Sequence, residues 1–313
     1  MTIADRLVVS PEVAAAAREG TPLVALESTL ISHGLPSPQN LEVARASETA
    51  VREAGAVPAT VAIHDGKILV GLEASALEAL ATAPAGSVLK ASRPSLAAAL
   101  VAGGWAATTV SATMIAAHEA GIRVFGTGGI GGVHRGAVGG ASPTLDVSSD
   151  LEELARTPIV VVCAGPKAIL DVPATMEYLE TRGVPVVSVG QDDVPGFVMR
   201  RSGVRAPAVV PDLEVAADLA RAHLDLGLGS AILVCVPVPD ESALPEDVGR
   251  AAIDQAQDDA RAAGIVGPAF TPWILARVAE LTDGASVRAN TALIVNNARA
   301  AGRIAARLAR LGG

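Results

Sequence analysis

The sequence predicts an α/β fold, a three-layer α/β/α arrangement around a mixed, mostly parallel central sheet. Apolar, strand-like runs alternate with helical patterns along the whole chain, which is typical of this class. One run, 159–164, is apolar throughout, as expected for a strand buried on both faces. Asp65-Gly66 joins two other runs as a tight hairpin, so the sheet is predicted to be mixed. Because no linker interrupts the pattern, we expect residues 1–313 to form a single domain.

Apolar periodicity and capping residues assign the elements in the first half of the chain. Ser10 and Pro11 mark a helix start, since Ser is a favoured N-cap and Pro fits the first turn. The predicted helices are 10–19, 39–54, 72–83, 95–102 and 111–120, and the predicted strands are 22–27, 59–64, 67–70, 87–92 and 123–125.

The second half begins with a glycine-rich segment, 126–140. Ser148, Ser149 and Asp150 are predicted to cap a short helix ending at 156, with Glu152 as the capping-box partner of Ser149. The predicted strands are 159–164, 184–189 and 231–238. The predicted helices are one that begins near Lys167 and others over 212–227, 246–263, 272–281 and 290–311.

Composition argues against several classes of partner. The formal net charge of -9 disfavours nucleic acid or an anionic membrane as the main partner, although a local basic pocket for a small anion stays open. No apolar run reaches the roughly 18 residues of a membrane span, and the N-terminus lacks a signal-peptide pattern. Cys163 and Cys235 lie in apolar runs and are interpreted as small core residues, which fits a reducing compartment. We therefore expect a cytoplasmic protein.

Lys167 is the first candidate for chemistry. It follows the apolar run 159–164 and a sharp Gly165-Pro166 stop. In open α/β sheets, ligands bind outside the carboxyl ends of the strands. Loss of solvation beside an apolar strand end favours the neutral amine, which can attack a carbonyl and form a Schiff base. The alternative is a lysine at a helix start that reaches solvent.

Two carboxylates are further candidates. Glu27 closes an apolar strand, where burial would favour the protonated acid and allow proton donation; alternatively, the Ser28 and Thr29 N–H groups satisfy it. Asp146 lies in a loop before a helix, without the His and Cys cluster of a zinc site. One carboxylate with several waters suits a hard ion such as Mg²⁺ or Mn²⁺, although spacing alone favours a plain loop aspartate.

Other motifs are weaker. Residues 126–131 match G-x-G-x-x-G, but the following segment is a poor helix, so we reject dinucleotide binding and expect the loop to approach a phosphate or to thread between elements. His33 and His134 lie in polar loops and could line a site. Asn290 and Asn297, two helical turns apart, could hydrogen-bond a ligand or tie the helix to a neighbouring loop.

Together these segments resemble pseudouridine-5'-phosphate glycosidase, a family that includes the indigoidine-cluster A proteins. The resemblance covers nearly the whole chain, and its motifs occur in the right order. They are ALESTLISHGLP at 25–36, KASR at 90–93, TTVSATM at 108–114, GTGGIGGVHRG at 126–136, VVCAGPK at 161–167 and ANTALIVNNAR at 289–299.

The resemblance implies cleavage of the C–C glycosidic bond of pseudouridine 5'-phosphate to uracil and ribose 5-phosphate, a reversible reaction. It also implies a single-domain α/β/α fold and a homotrimer. By matching position, Lys167 resembles the Schiff-base lysine, Glu27 the proton donor and Asp146 the ligand of a divalent metal, Mn²⁺ by family preference. The positions that match substrate-contacting residues are Lys90, Val110, Ser148, Ser149, Asp150 and Asn290.

Two other functions remain open from the residues alone. A Schiff-base aldolase acting on another sugar phosphate would share Lys167 but not a base pocket. A non-catalytic sugar-phosphate-binding protein of the indigoidine type would need neither. A C–C glycosidic bond has no leaving-group oxygen to protonate, so the usual pair of carboxylates is insufficient. One desolvated lysine and one protonated glutamate suit this bond, and the sequence offers one of each at a strand end.

Overall fold

The computed structural model describes residues 2–139, 143–265 and 270–311. In these residues the strands are β1 (Leu7–Val9), β2 (Leu23–Leu26), β3 (Val57–His64), β4 (Lys67–Val70), β5 (Leu89–Ala91), β6 (Ala106–Thr108), β7 (Val124–Gly126), β8 (Val133–His134), β9 (Val160–Cys163), β10 (Leu170–Asp171), β11 (Val186–Val189), β12 (Ala208–Val210) and β13 (Ile232–Cys235).

The α-helices of the same residues are α1 (Pro11–Glu19), α2 (Gln39–Glu53), α3 (Ala74–Ala81), α4 (Leu96–Ala102), α5 (Val110–Glu119), α6 (Ser149–Leu154), α7 (Val172–Thr181), α8 (Leu213–Asp225), α9 (Glu246–Ala262), α10 (Phe270–Leu281) and α11 (Ala285–Leu311). A five-residue π-helical turn, Leu30–Gly34, follows β2.

The central sheet has the strand order β1-β4-β3-β2-β7-β9-β13-β11-β12, and β6 joins β3 to β5. Its strand pairs are parallel except β3 with β4 and β3 with β6. β8 and β10 form a separate antiparallel ribbon. The mixed, mostly parallel sheet predicted from the sequence is confirmed.

Helices cover both faces of this sheet because its strands are apolar on both sides. In β9, Val161 and Cys163 share a core with side chains of α5, α6 and α7. Val160 and Val162 share the opposite core with side chains of α2, α8 and α11. Neighbouring side chains of a strand point to opposite faces, so the apolar run builds two cores at once and gives the three layers.

The Asp65-Gly66 hairpin is confirmed and explains the antiparallel pair. Asp65 has φ 47° and Gly66 has φ 70°, and positive φ at both central residues is the requirement of the two-residue type I′ turn. His64 therefore pairs directly with Lys67, and β4 returns along β3.

Two predictions around the site are wrong in detail. Lys167 does not begin a helix: α7 begins only at Val172, after β10, with the Asp171 side chain accepting a hydrogen bond from the Ala174 N–H at 3.0 Å. The capping box is also wrong, because the N-cap is Ser148, whose hydroxyl accepts from the Asp150 N–H.

Glu152 has other partners than the predicted cap. Its carboxylate accepts hydrogen bonds from Arg156, Arg182 and the Tyr178 hydroxyl. In the last helix, α11 begins at Ala285 and not at 290, so Asn290 lies in its second turn. In the described residues, no helix combines the length and apolarity that a membrane crossing requires.

Candidate active site

The floor of the site is the carboxyl edge of three adjacent parallel strands, β2, β7 and β9. Glu27 follows β2, the loop 127–131 follows β7, and Lys167 follows the turn after β9. Strand order therefore brings together groups that lie far apart in the sequence. They open into a cavity of about 780 Å³, a size suited to a small-molecule ligand.

The cavity brings together every site residue predicted from the sequence. His33 and His134 also line it, together with apolar side chains such as Ile169 and Phe197. The nine predicted positions on its wall are Glu27, Lys90, Val110, Asp146, Ser148, Ser149, Asp150, Lys167 and Asn290.

Glu27 is buried at the end of β2, with 7% of its surface exposed. Its carboxylate accepts hydrogen bonds from the hydroxyls of Thr29 and Thr127. The Ser28 N–H instead donates to the Thr108 carbonyl, so Ser28 does not satisfy Glu27 in the way that the alternative interpretation expected. Two hydroxyls from neighbouring strand ends thus fix a buried carboxyl that faces the cavity.

Lys167 is half-buried and follows the end of β9, which is separated from β2 by β7. Its backbone N–H donates to the Ile130 carbonyl at 3.1 Å, which aligns the lysine segment with the glycine-rich loop. Gly165 makes the bend after β9 with φ 83°, and a side chain there would meet the Pro195 carbonyl oxygen at 2.6 Å. Within the described residues, no carboxylate lies within 4.0 Å of the Lys167 amine as a salt-bridge partner, so no ion pair holds its positive charge.

Lys90 supplies a second cationic group to the cavity. Although Lys90 is an exposed residue, partial desolvation at the cavity lowers its pKa. The positive charge of Lys167 lowers this pKa further, while Glu27 and Asp150 oppose the shift. The charges of Lys167, Glu27 and Asp150 therefore act on Lys90 within the same cavity.

Asp150 links the first turn of α5 to the glycine-rich loop after β7. It is buried, and its carboxylate accepts from the Ser111 N–H and the Gly131 N–H, both at 3.0 Å. Ser111 and Ser149 place their hydroxyl oxygens 3.3 Å apart. This arrangement draws the first turn of α5, which begins at Val110, toward the first turn of α6.

Asn290 and Asn297 of α11 have different environments, which correspond to the two interpretations given from the sequence, contact with a ligand and attachment to a loop. Asn297 is fully buried and donates to the carbonyls of Thr127 and Gly128 at 2.9 and 3.1 Å. It therefore ties the helix to the glycine-rich loop. Asn290, two turns earlier, lines the cavity. No helix starts on the loop, which continues into β8, so the prediction that the segment after the loop is not helical is confirmed.

Asp146 and His134 lie together at the cavity rim. The His134 N–H donates to the Asp146 carbonyl at 3.0 Å, and the His134 Nε2 and Asp146 Oδ2 atoms are 4.0 Å apart. Burial lowers the pKa of His134, which favours the neutral imidazole; Asp146 opposes this effect. Across 2–139, 143–265 and 270–311, no group of three His, Cys, Asp or Glu side chains is arranged to hold a metal.

The sequence analysis did not identify two residues that contribute to the site, Thr127 and Phe197. Thr127 binds Glu27 across 100 residues, a contact that no local pattern reveals. Phe197 lines the cavity with a positive φ of 63° and packs where a side chain at Gly129 would otherwise lie. An aromatic residue in a loop of a chain with only three Phe residues was the available signal.

A family model described as Indigoidine synthase A like protein matches residues 12–307. The chain belongs to this family. The resemblance stated from the sequence motifs is thereby confirmed. This chain is 54% identical to a pseudouridine-5'-phosphate glycosidase of Paracoccus denitrificans over 303 residues, which are 97% of this chain and 98% of the relative.

Other relatives and solved structures also match the chain over nearly its full length. A pseudouridine-5'-phosphate glycosidase of Caldanaerobacter subterraneus is 51% identical over 302 residues, covering 96% of each chain. Among solved structures, the prealnumycin C-glycosynthase AlnA in complex with ribulose 5-phosphate is 40% identical, with a TM-score of 0.88 over 98% of each chain. An indigoidine synthase A-like protein of Thermotoga maritima is 33% identical, with a TM-score of 0.85 over 97% of each chain.

Proposed function

We propose that this chain is a pseudouridine-5'-phosphate glycosidase, which reversibly cleaves the C–C glycosidic bond of pseudouridine 5'-phosphate to uracil and ribose 5-phosphate. Relatives that are about half identical over nearly the full chain carry this name. A similar structure, AlnA, is a C-glycosynthase and binds a sugar phosphate. The chemistry of the cavity supports the same assignment.

The observation that carries the proposal is that Glu27 and Lys167 line one cavity at the same edge of the sheet, after two strands that only β7 separates. One is a buried carboxyl held by hydroxyls, and the other is a lysine without an ion-pair partner among the described residues. An acid and an amine are the two groups that cleavage of a C–C glycosidic bond requires.

The reaction begins when the bond between ribose C1′ and O4′ breaks and its electron pair goes to O4′. The neutral Lys167 amine adds to C1′, and the proton that it loses balances the proton taken by O4′. Glu27 then protonates uracil C5 while the C1′–C5 bond breaks, and the nitrogen lone pair forms a C1′=N iminium. Water adds to the iminium and releases ribose 5-phosphate and Lys167, so one water is consumed per turnover.

The sugar phosphate would occupy the side of the cavity that carries Lys90. An ammonium is a compact charge suited to a phosphate oxygen, and Ser148 and Ser149 line the same cavity, as do Val110 and Asp150. Asn290 lies on α11 and can donate to a ribose hydroxyl or to the base with its side-chain amide.

Asp146 fits a divalent ion that keeps most of its waters, and we propose Mn²⁺ in this role. A single carboxylate beside a neutral imidazole, without a third ligand group in the described residues, does not make an all-protein metal site. Such an ion would supply positive charge for the phosphate end of the substrate. Glu27 and Lys167 carry the proton and covalent steps themselves.

We also propose a cytoplasmic homotrimer. The two cysteines are free and fully buried, which agrees with a reducing compartment. The trimer follows from the family resemblance, and sedimentation equilibrium would measure it directly. A chain of 31.3 kDa that sediments as a monomer at micromolar concentration would contradict it.

Borohydride trapping tests the covalent step, since it reduces the imine between a lysine and ribose 5-phosphate to a stable adduct. The chain has only three lysines, so peptide mapping assigns the adduct unambiguously. We expect one sugar-phosphate mass on Lys167 in the wild type and in Glu27→Ala, and none in Lys167→Arg, which keeps the charge but cannot form the imine.

Lys67→Arg is the matched control, because Lys67 is exposed on β4 and donates to the Asp5 carbonyl, away from the cavity. It should label and turn over like the wild type. Uracil release from pseudouridine 5'-phosphate separates the proposal from the aldolase and the binding protein. An adduct on another lysine, or substantial turnover by Lys167→Arg, would contradict the mechanism.

A further inference from the structure

A small void lies behind Glu27, on the side of the sheet covered by α2 and α11. Its volume of about 10 Å³ is near the size needed for one water molecule. Its wall includes Leu26 and Ile294, and it is also lined by four residues with side-chain oxygens: Glu27, Ser47, Thr60 and Thr127. A buried water needs two to four polar partners, so this void is suited to a single ordered water in contact with Glu27.

Thr60 connects the void to a second carboxyl. β2 and β3 pair in a register that places Thr60 beside Leu26, the residue before Glu27. The Thr60 hydroxyl is buried and donates to Glu48 Oε1 at 2.6 Å. Because a hydroxyl donates one hydrogen bond and accepts two, Thr60 can accept from the water while it donates to Glu48.

Glu48 in turn faces the outside. It lines a separate cavity of about 220 Å³ on the molecular surface, together with Glu12, Arg52 and Glu73. Burial raises the pKa of Glu48, and Glu12 raises it further; the Thr60 hydrogen bond, Arg52 and Arg45 oppose the shift. This carboxyl can therefore exchange a proton both with solvent and with Thr60.

We propose that Glu48, Thr60 and one buried water form a proton path that connects Glu27 to solvent while substrate fills the active cavity. The inference rests on the proposed function. A bound nucleotide excludes water from the active cavity, the side of Glu27 that faces the substrate. After Glu27 has protonated uracil C5, its carboxylate can therefore recover a proton only through the small void on its other side.

The path carries one proton inward during cleavage and one proton outward during synthesis, and it needs no other reactant. During cleavage, the hydrogen bonds of the path must point the opposite way: the protonated Glu48 donates to the Thr60 oxygen after the hydroxyl has rotated toward the water. Glu48 then gives its proton to Thr60, whose own proton passes to the water, and the water protonates Glu27. The proton released later at Lys167, when the iminium is hydrolysed, leaves to solvent and balances the cycle. During synthesis, Glu27 takes the proton from uracil C5 and passes it outward to the Glu48 carboxylate.

Glu48 and Thr60 do not touch the substrate in this scheme, so the test must separate proton transfer from folding. The enzyme is incubated in H₂O with ribose 5-phosphate and uracil carrying deuterium at C5. Two rates are measured: loss of deuterium from the recovered uracil and net formation of pseudouridine 5'-phosphate. Their ratio reports whether the proton on Glu27 escapes before it returns to C5, and it does not depend on the fraction of folded enzyme.

In the wild type we expect deuterium loss to exceed net synthesis, and this ratio to rise with pH as Glu48 ionises. Glu48→Gln keeps an acceptor for Thr60 but carries no exchangeable acid proton, so the ratio should fall at least about tenfold. Thr60→Val should give the same fall, and Thr60→Ser should restore the wild-type ratio. Glu73→Gln, on the same outer cavity, is the matched control and should match the wild type.

Wild-type ratios in Glu48→Gln and Thr60→Val would overturn the proton path. So would an equal fall of both rates with an unchanged ratio, since that result indicates a structural role. A wild-type protein that forms no pseudouridine 5'-phosphate would instead contradict the proposed function, so the two failures are distinguishable.

Discussion

At the scale of single residues, the rare lysines are concentrated at the candidate site, whereas most basic residues of the chain are arginines. Only three of the 24 basic residues are lysines, and Lys90 and Lys167 both line the cavity. Arginine stays protonated in proteins, whereas a desolvated lysine can become neutral and act as a nucleophile. Arginines elsewhere in the chain form ion pairs, such as Arg307 with Asp218 and Arg277 with Asp259.

Replacement of Lys90 tests phosphate recognition. Lys90→Ala should lower kcat/KM for pseudouridine 5'-phosphate by roughly ten- to hundredfold, since a hydrogen bond to a charged group contributes about 1.5–3 kcal/mol. Unphosphorylated pseudouridine should be a poor substrate of the wild type. Because the pKa of Lys90 is lowered, affinity for the phosphate should weaken as the pH rises, at a lower pH than for a free lysine. Equal kcat/KM for the two substrates would contradict this role, and Lys67→Ala is the control.

The metal prediction concerns Asp146. Treatment with EDTA should abolish turnover, and added Mn²⁺ should restore it, because the ion supplies charge that the protein lacks at the rim. Electron paramagnetic resonance of free Mn²⁺ measures binding independently of activity. Asp146→Asn should weaken that binding while the fold, followed by circular dichroism, is unchanged. Full activity after exhaustive chelation would remove Asp146 from the site.

At the scale of elements, the glycine-rich loop after β7 is shaped by contacts to three other elements. Asn297 of α11 donates to the Thr127 carbonyl of the loop, and Asp150 of α6 accepts from the Gly131 N–H. The segment before Lys167 runs parallel to the loop through a bridge between Ile130 and Pro166. Glycine is required where side chains from these elements approach the loop backbone. The loop therefore serves as a packed support for Glu27 and Lys167, which explains why its fingerprint does not indicate a dinucleotide.

Gly131→Ala tests this support. A Cβ atom at 131 would lie 2.6 Å from Ser148 Cβ and 2.8 Å from Asp150 Oδ2, so we expect a loss of about 1–3 kcal/mol in the free energy of unfolding and a marked fall in kcat/KM. Gly104→Ala is the control, since a Cβ atom at 104 would meet no other atom within 4 Å. Urea denaturation measures both variants. A Gly131→Ala protein with wild-type stability and activity would show that the close packing is unimportant.

At the scale of the whole molecule, the sheet encloses two thiols that report on global unfolding. Cys163 in β9 pairs in register with Cys235 in β13, and both are fully buried and free. The hydrogen bond with Cys163 and burial raise the pKa of the Cys235 thiol. Both features suppress the thiolate, which is the reactive form.

We therefore predict that a thiol reagent such as Ellman's reagent modifies neither cysteine in the native protein within minutes. In urea, labelling should follow the main unfolding transition measured by circular dichroism and should reach two thiols per chain. Cys163→Ser and Cys235→Ser identify the contribution of each. Rapid labelling of the native protein would show that the central strands open without global unfolding.

The sequence by itself determined the fold class, most helices and strands, and a set of candidate residues that line one cavity. These depend on local patterns: apolar runs for β9, caps for α1 and α8, and a two-residue turn for the β3–β4 hairpin. The grouping of candidate residues was also anticipated through the family motifs, three of which run across the ends of β2, β7 and β9.

Only the tertiary structure decided which strands are neighbours and which partners each candidate has. The order β3-β2-β7-β9 arises from packing between distant segments, and it alone places Thr127 on Glu27 and the Glu48–Thr60 pair behind it. Glu152 is not a capping residue because the helix is capped by Ser148, one residue earlier than predicted, and its carboxylate instead accepts from Arg156, Arg182 and Tyr178. Short strands such as β6 and β12 gain stability mainly from adjacent strands and helices, so local periodicity does not reveal them.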